Sequence, residues 1–150
     1  MTRRDLMGSF VLVAAAAVEG LRAQTPPTMS VLRDPGCGCC LNWVAHLQKA
    51  GFKVTVAESD DMVAVKDSRG VPKSTRSCHT GVVNGYVIEG HVPAADIQRL
   101  LKEKPAVKGL AVPGMPVGSP GMEVATGRTV PYDVVSWDAQ GRTAVFASHR

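Results

Sequence analysis

The sequence predicts an α/β domain, and three observations carry that reading. A short apolar run at residues 29–32 leads into a stretch with helical spacing of its apolar residues, and a run alternating with period two follows, which together make a β-α-β unit. Further on, Asn84-Gly85 lies between Val82-Val83 and Tyr86-Val87-Ile88, a strong short-range hairpin signal. Beyond it, Ile97, Leu100 and Leu101 share one face of a further helix. At 150 residues, with fifteen Gly and ten Pro, the chain is long enough for one ordinary core and short of two.

Residues 1–23 have the three zones of an export signal peptide: Arg3-Arg4, an apolar stretch from Leu6 to Val18, and the exit Leu21-Arg22-Ala23. The apolar stretch is too short to span a bilayer comfortably, and Glu19 and Arg22 close it early, which disfavours a retained anchor helix. Membrane contact is therefore expected only through the uncleaved signal, and the mature protein is expected in an oxidising compartment outside the cytoplasm. Arg3-Arg4 also fits a twin-arginine leader, but paired arginines occur in ordinary leaders, so the Sec and twin-arginine routes both stay open. Loss of residues 1–23 removes three Arg, one Asp and one Glu and lowers the net charge from +4 to +3. The remaining basic residues, among them Lys49, Lys66, Lys73, Lys102 and Lys108, are scattered and lack interleaved aromatics, which argues against nucleic acid as a partner.

Residues 24–28 read as a disordered linker, and residues 29–150 as a single domain, with a core at about 29–103 and an extension at 104–150. The first strand, 29–32, runs into Arg33-Asp34-Pro35-Gly36-Cys37-Gly38-Cys39-Cys40-Leu41-Asn42. A helix follows, marked by Trp43, Val44, Leu47 and Ala50, and Gly51 stops it. Residues 52–56 form the second strand, parallel to the first through a right-handed crossover. A short helix over 60–66 has an acidic start at Asp60-Asp61. Ser77-Cys78-His79-Thr80 then leads directly into the hairpin, and Pro93 sits at the first turn of the third helix, with Pro105 beyond its end. Residues 104–131 are rich in Gly and Pro and carry Met115 and Met122, a loop of a length more often functional than idle. Residues 132–137 and 143–146 close the chain as a β-hairpin.

Three of the four cysteines fall within four positions at the start of the first helix, where unpaired N–H groups and the helix dipole favour thiolates. An exported protein with four cysteines would ordinarily hold two structural disulfides. Here Cys78 alone cannot pair off Cys37, Cys39 and Cys40, so a local pair or a free thiol must remain. Cys37 and Cys40 make a C-x-x-C pair suited to thiol–disulfide exchange, with Cys37 attacking and Cys40 resolving. Cys39 and Cys78 are sulfurs that exchange does not need. Soft thiolate and thioether sulfur select Cu(I), which puts Cys37, Cys39, Cys40 and Cys78, with Met115 and Met122, ahead as copper ligands. A closed zinc site usually draws on two separated cysteine pairs and fits this pattern poorly. His79 is a candidate ligand or proton donor, His91 a candidate neighbour of the site, His46 a surface or packing residue and His149 an idle tail residue. Trp43 is expected to pack beneath the site, Met62 to fill core, and Met29 is ambiguous.

The order of elements over about residues 29–103 resembles the thioredoxin fold, with Ser77-Cys78-His79-Thr80 standing where a cis-proline segment would face the redox motif. At finer grain the mature chain resembles the CopG-type periplasmic copper-resistance proteins. The matching phrases are Asp34-Pro35-Gly36-Cys37-Gly38-Cys39-Cys40 with Trp43 and His46-Leu47, Ser77-Cys78-His79-Thr80, Ile88-Glu89-Gly90-His91-Val92-Pro93-Ala94, and the Gly/Pro segment carrying Met115 and Met122. The resemblance implies a thioredoxin-like sandwich with a long Gly/Pro/Met loop and a C-terminal β-hairpin. It also implies that Cys78 faces the other three cysteines, and that the protein binds copper, as one or several Cu(I) ions, and handles copper redox. The resemblance places the mature protein in the periplasm, with a periplasmic copper carrier, an exporter or an electron donor as the expected partner.

Overall fold

The computed structural model describes residues 25–150; the signal peptide read at residues 1–23 lies outside the described residues. The first strand is longer than its apolar run: β1 spans Thr28–Arg33, so Thr28, read as linker, is already paired with Lys53. Met29 and Val31 point into the core, which settles Met29 as a packing residue. Helix α1, Gly38–Lys49, buries Cys40, Trp43, Val44 and Leu47, the i, i+3, i+4, i+7 stripe of a helix lying on a sheet. Strand β2, Lys53–Glu58, pairs parallel with β1, and α2, Met62–Ser68, starts where the Asp61 carboxylate accepts the Ala64 N–H at 2.9 Å.

Strands β3, His79–Val83, and β4, Tyr86–Glu89, form the expected hairpin, with Asn84 and Gly85 both in the left-handed region its tight turn requires. Helix α3, Ala94–Glu103, has Pro93 as its N-cap. The first turn of α3 is held from outside, because the Ala94 N–H donates to His46 Nε2 at 3.1 Å. His46 is thus a side-chain cap between α1 and α3.

The extension departs from the expected single long loop over residues 104–131. Residues Gly109–Ala111 form a strand, β5, which pairs parallel with β4 and antiparallel with β6, Tyr132–Trp137. Three residues opened by a glycine carry too little periodicity to read as a strand. Gly109 is required there because a Cβ would lie 2.0 Å from the Val87 carbonyl oxygen and 2.6 Å from the Trp137 ring. Strand β7, Thr143–His149, completes one seven-stranded mixed sheet in the order β2-β1-β3-β4-β5-β6-β7, with an irregularity at Val134/Val135. The closing hairpin is therefore continuous with the domain's sheet. His149 is also not idle: its Nε2 lies 2.8 Å from the Asp96 carboxylate, and its ring stacks on Tyr132.

The main core packs α1 and α3 against the sheet through Trp43, Leu47, Ile88, Ile97, Leu100 and Leu110. A smaller cluster of Val71, Val87, Ala111 and Trp137 lies apart from it. Neighbours Val87 and Ile88 fall in different clusters, as the alternation of a strand buried on both faces demands. Among the described residues no helix is long and apolar enough to cross a membrane.

Candidate metal centre

The turn that delivers the cysteines is built by two charged side chains. The Asp34 carboxylate accepts the Gly36 N–H at 2.7 Å, the Cys37 N–H donates to the Asp34 carbonyl at 3.0 Å, and Pro35-Gly36 fills the corner. From the end of β1, the Arg33 guanidinium donates to the carbonyls of Asp34, Pro35 and Cys37 and pairs with Glu58 on β2. Cys37 is the N-cap of α1 without a side-chain capping bond, leaving its sulfur free for other chemistry.

Cys37 and Cys40 form a disulfide, while Cys39 and Cys78 are free thiols, both half-buried. The sulfurs of Cys37, Cys39, Cys40 and Cys78 all lie within 4.8 Å of one another. Cys37 and Cys39 Sγ are 3.5 Å apart, and Cys39 Sγ lies 3.8 Å from the thioether of the exposed Met115. Cys37, Cys39, Cys78 and Met115 open onto a cleft of about 670 Å³ that Met62, Val63, Lys66, Arg76 and Ser77 also line, and Cys40 lies buried behind them. Met62, expected in the core, is therefore a wall of the cleft, whereas Met122 is not among the lining residues. Loop residue Met122 instead closes a backbone turn with Gly118 and Ser119.

Cys78 also belongs to a second group. His79 Nδ1 lies 3.2 Å and His91 Nε2 3.3 Å from its sulfur, and all three side chains could hold one ion. The two histidines are not equivalent. His91 Nδ1 donates to the Pro120 carbonyl at 2.7 Å, which puts its proton there and leaves the Nε2 lone pair facing Cys78. His79 Nε2 is buried with no partner, and its ring lies 4.2 Å from that of Trp43. Trp43 is fully buried beneath the cluster, its indole N–H donating to the Val92 carbonyl at 2.9 Å.

Burial dominates the electrostatics. It pushes the Cys78 thiol up to about 11, helped by the nearby Cys39 and opposed by hydrogen bonding to Ser77. It lowers His79 to about 3, with the charges of His91 and Lys66 acting in the same direction. His91 is lowered too, against the opposing pull of its bond to Pro120 and of Glu123. Neutral imidazoles are the form in which histidine binds metal.

The Gly/Pro loop reaches the centre at Gly121. With φ +89° it passes so close to α1 that a Cβ would lie 2.7 Å from the Trp43 nitrogen, 3.1 Å from the Cys39 carbonyl and 3.2 Å from His91 Nδ1. His91, expected as a neighbour of the site, is confirmed in contact with Cys78, whereas the parts that Arg33 and Glu89 play in holding the cysteine segments have no signal in residue type or spacing.

A mixed α/β sheet with four sulfurs and two imidazoles gathered at one helix start defines a protein built around a soft-metal donor set. Two solved structures titled "Copper resistance protein copG", forms 2 and 1, match at 51% and 52% identity with TM-scores of 0.79 and 0.78. Each covers 83% of this chain, which spans 99% and 98% of theirs. A family profile described as "Protein of unknown function, DUF411" matches residues 75–122. No curated protein sequence matches the chain. The chain belongs to the CopG-type copper-resistance family.

Proposed function

We propose that this protein binds Cu(I) through the thiolates of Cys37, Cys39, Cys40 and Cys78 and interconverts Cu(I) and Cu(II) in copper resistance. The observation that carries the reading is the convergence of four sulfurs within 4.8 Å, three of them, Cys37, Cys39 and Cys78, lining an open cleft and Cys40 buried behind them, a donor set that matches Cu(I) in softness and can bridge several ions. Met115 adds a thioether, and His91 Nε2 adds a nitrogen, the donor type that suits Cu(II), with His79 a further nitrogen candidate. Met122 has no comparable support. The relatives' titles name copper resistance, and with Cys39, Cys78 and Met115 at the cleft this favours copper over simple dithiol exchange.

The Cys37–Cys40 pair balances the redox chemistry. Two Cu(II) ions each take one electron from the two thiolates, giving two Cu(I) ions and the disulfide. Two electrons and two protons from a periplasmic donor restore the thiols. Helix α1, between parallel β1 and β2 and beside antiparallel β3 and β4, supports a thioredoxin-like reading of the core. Residues 1–23 would export the protein to the periplasm, where a copper carrier or exporter is the fitting partner. The test is metal analysis of anaerobically purified mature protein, with thiols counted before and after chelation. Copper with four protected thiols supports the reading, and metal-free protein after copper loading removes it.

A further inference from the structure

Behind Cys78 lies a buried ion pair that the sulfur chemistry does not use. Lys66 of α2 and Glu89 of β4 have side chains 6% and 0% exposed, with Lys66 Nζ 2.6 Å from Glu89 Oε1. The carboxylate also accepts the Ser77 backbone N–H at 2.6 Å on the same oxygen and the Thr80 hydroxyl at 2.7 Å on the other. Lys66 Nζ in turn donates to Thr80 Oγ1 at 2.9 Å. Taking such a pair out of water is costly, and apolar residues of similar volume often serve a fold equally well in its place. Stability alone does not explain it.

Its geometry supplies a reason. Ser77 and Thr80 bracket Cys78-His79, and the β3 ladder begins only at His79. The Ser77 N–H therefore takes the Glu89 carboxylate in place of a strand partner, and the anchorage of β3 extends to the residue beside Cys78. Lys66 stands one helical turn from Met62 on α2, and both line the cleft. Ser77 Oγ donates to the Gly114 carbonyl at 2.5 Å, next to Met115. The carboxylate thus joins the cysteine segment to the α2 wall, and the Ser77 hydroxyl links that segment on to the methionine loop.

We infer that the Glu89 side chain is a positioning clasp, its buried charge neutralised by Lys66, which acts as acceptor for the Ser77 N–H to hold the Cys78 sulfur against those of α1. Its role in copper binding rests on the function proposed above, but the clasp itself is tested without metal. In the metal-free oxidised protein, Cys37 and Cys40 are paired and the two free thiols are Cys39 and Cys78. Dibromobimane, a short fluorogenic dithiol crosslinker, reports whether those two sulfurs stay together. Two double variants remove both charges: Lys66→Met with Glu89→Gln keeps an acceptor for the Ser77 N–H, and Lys66→Met with Glu89→Leu does not.

Crosslinking of the Gln variant matches wild type, whereas that of the Leu variant slows at least about tenfold, since misplacement of reacting groups by about an ångström can cost up to roughly a hundredfold. Equal rates in the two variants overturn the clasp. If the Leu variant does not fold, Thr80→Val alone decides, because it removes one donor to the carboxylate; crosslinking then slows about threefold, and an unchanged rate overturns the inference. In a copper-loading arm, the Leu variant retains as little Cu(I) as Cys78→Ser, and the Gln variant as much as wild type. If wild type takes up no copper while the crosslinking contrast holds, the clasp stands and the copper reading falls.

Discussion

His91 presents an unprotonated Nε2 to Cys78 Sγ at 3.3 Å because its other nitrogen is committed to the Pro120 carbonyl. The side chain is fully buried, so this orientation is set by the fold and not by solvent. His91→Ala should weaken copper retention roughly 10–100-fold, as loss of an imidazole at or beside a metal does. Competition against a chelator measures the affinity, and loss of nitrogen coupling from the spectrum of the Cu(II) form identifies the missing donor. Unchanged affinity would reduce His91 to packing.

Reduced mature protein should bind more than one Cu(I) per chain. Cys78→Ser should lower that number without unfolding the domain, since Cys78 is only half-buried at the rim of the cleft. Metal-to-protein ratios and thermal melts of the metal-free variant check both halves. A stoichiometry of one, indifferent to Cys78, counts against a shared four-sulfur site.

The two loop methionines should separate. Met115 Sδ lies 3.8 Å from Cys39 Sγ, whereas Met122 does not line the cleft. Met115→Leu keeps size and apolarity and should weaken Cu(I) retention several-fold with metal-free stability unchanged. Met122→Leu should leave retention as it is, and equal losses from both variants would contradict the placement of the loop.

Acid should destabilise the metal-free protein through His79. Its folded-state value of about 3 lies well below the ordinary 6.5, so the unfolded chain binds the proton first as pH falls. Stability is fully present above about pH 6.5 and declines towards pH 3, by roughly 4–5 kcal/mol at the limit for a shift of this size. Urea unfolding between pH 7 and 4 measures the slope. His79→Phe should flatten it, and an identical slope in that variant would assign the acid sensitivity elsewhere.

Gly121→Ala should act at a distance from any sulfur. The positive φ and the approach to Trp43 and His91 leave no room for a Cβ, so about 1–3 kcal/mol of stability is expected to be lost. Copper retention should fall with it, because the same loop turn carries the Pro120 carbonyl that orients His91. A variant as stable as wild type would show that the loop can retreat without cost.

Much of the fold was legible in the residues because its signals are local. The β1-α1-β2 unit, the Asn84-Gly85 turn and the Pro93 start of α3 each declare themselves by spacing and turn chemistry within a few positions, and the cysteine group at the α1 start announces soft sulfur in the same way. Thr28 shows the limit of this, since directly after Pro26-Pro27 it reads as linker and only its pairing with Lys53 places it in β1. Strand β5 is the larger case: residues 109–111 become a strand only because β4 and β6 offer edges on both sides.

The candidate site divides along the same line. Composition and spacing determined the donor type, because softness belongs to the sulfur atom wherever it lies. Which sulfurs and nitrogens meet was decided by the tertiary structure: Cys78 reaches the α1 cysteines through the β1–β3 pairing, Met62 enters the cleft on α2, and Met122 does not line it. His91 was legible as a histidine in a Gly-His-Val-Pro phrase, but its tautomer depends on a carbonyl 29 residues away. The pairing of Lys66 with Glu89, 23 residues apart, has no signal in spacing until α2 folds onto the sheet. Local chemistry is written in the side chain, whereas distance between side chains exists only after the backbone has closed.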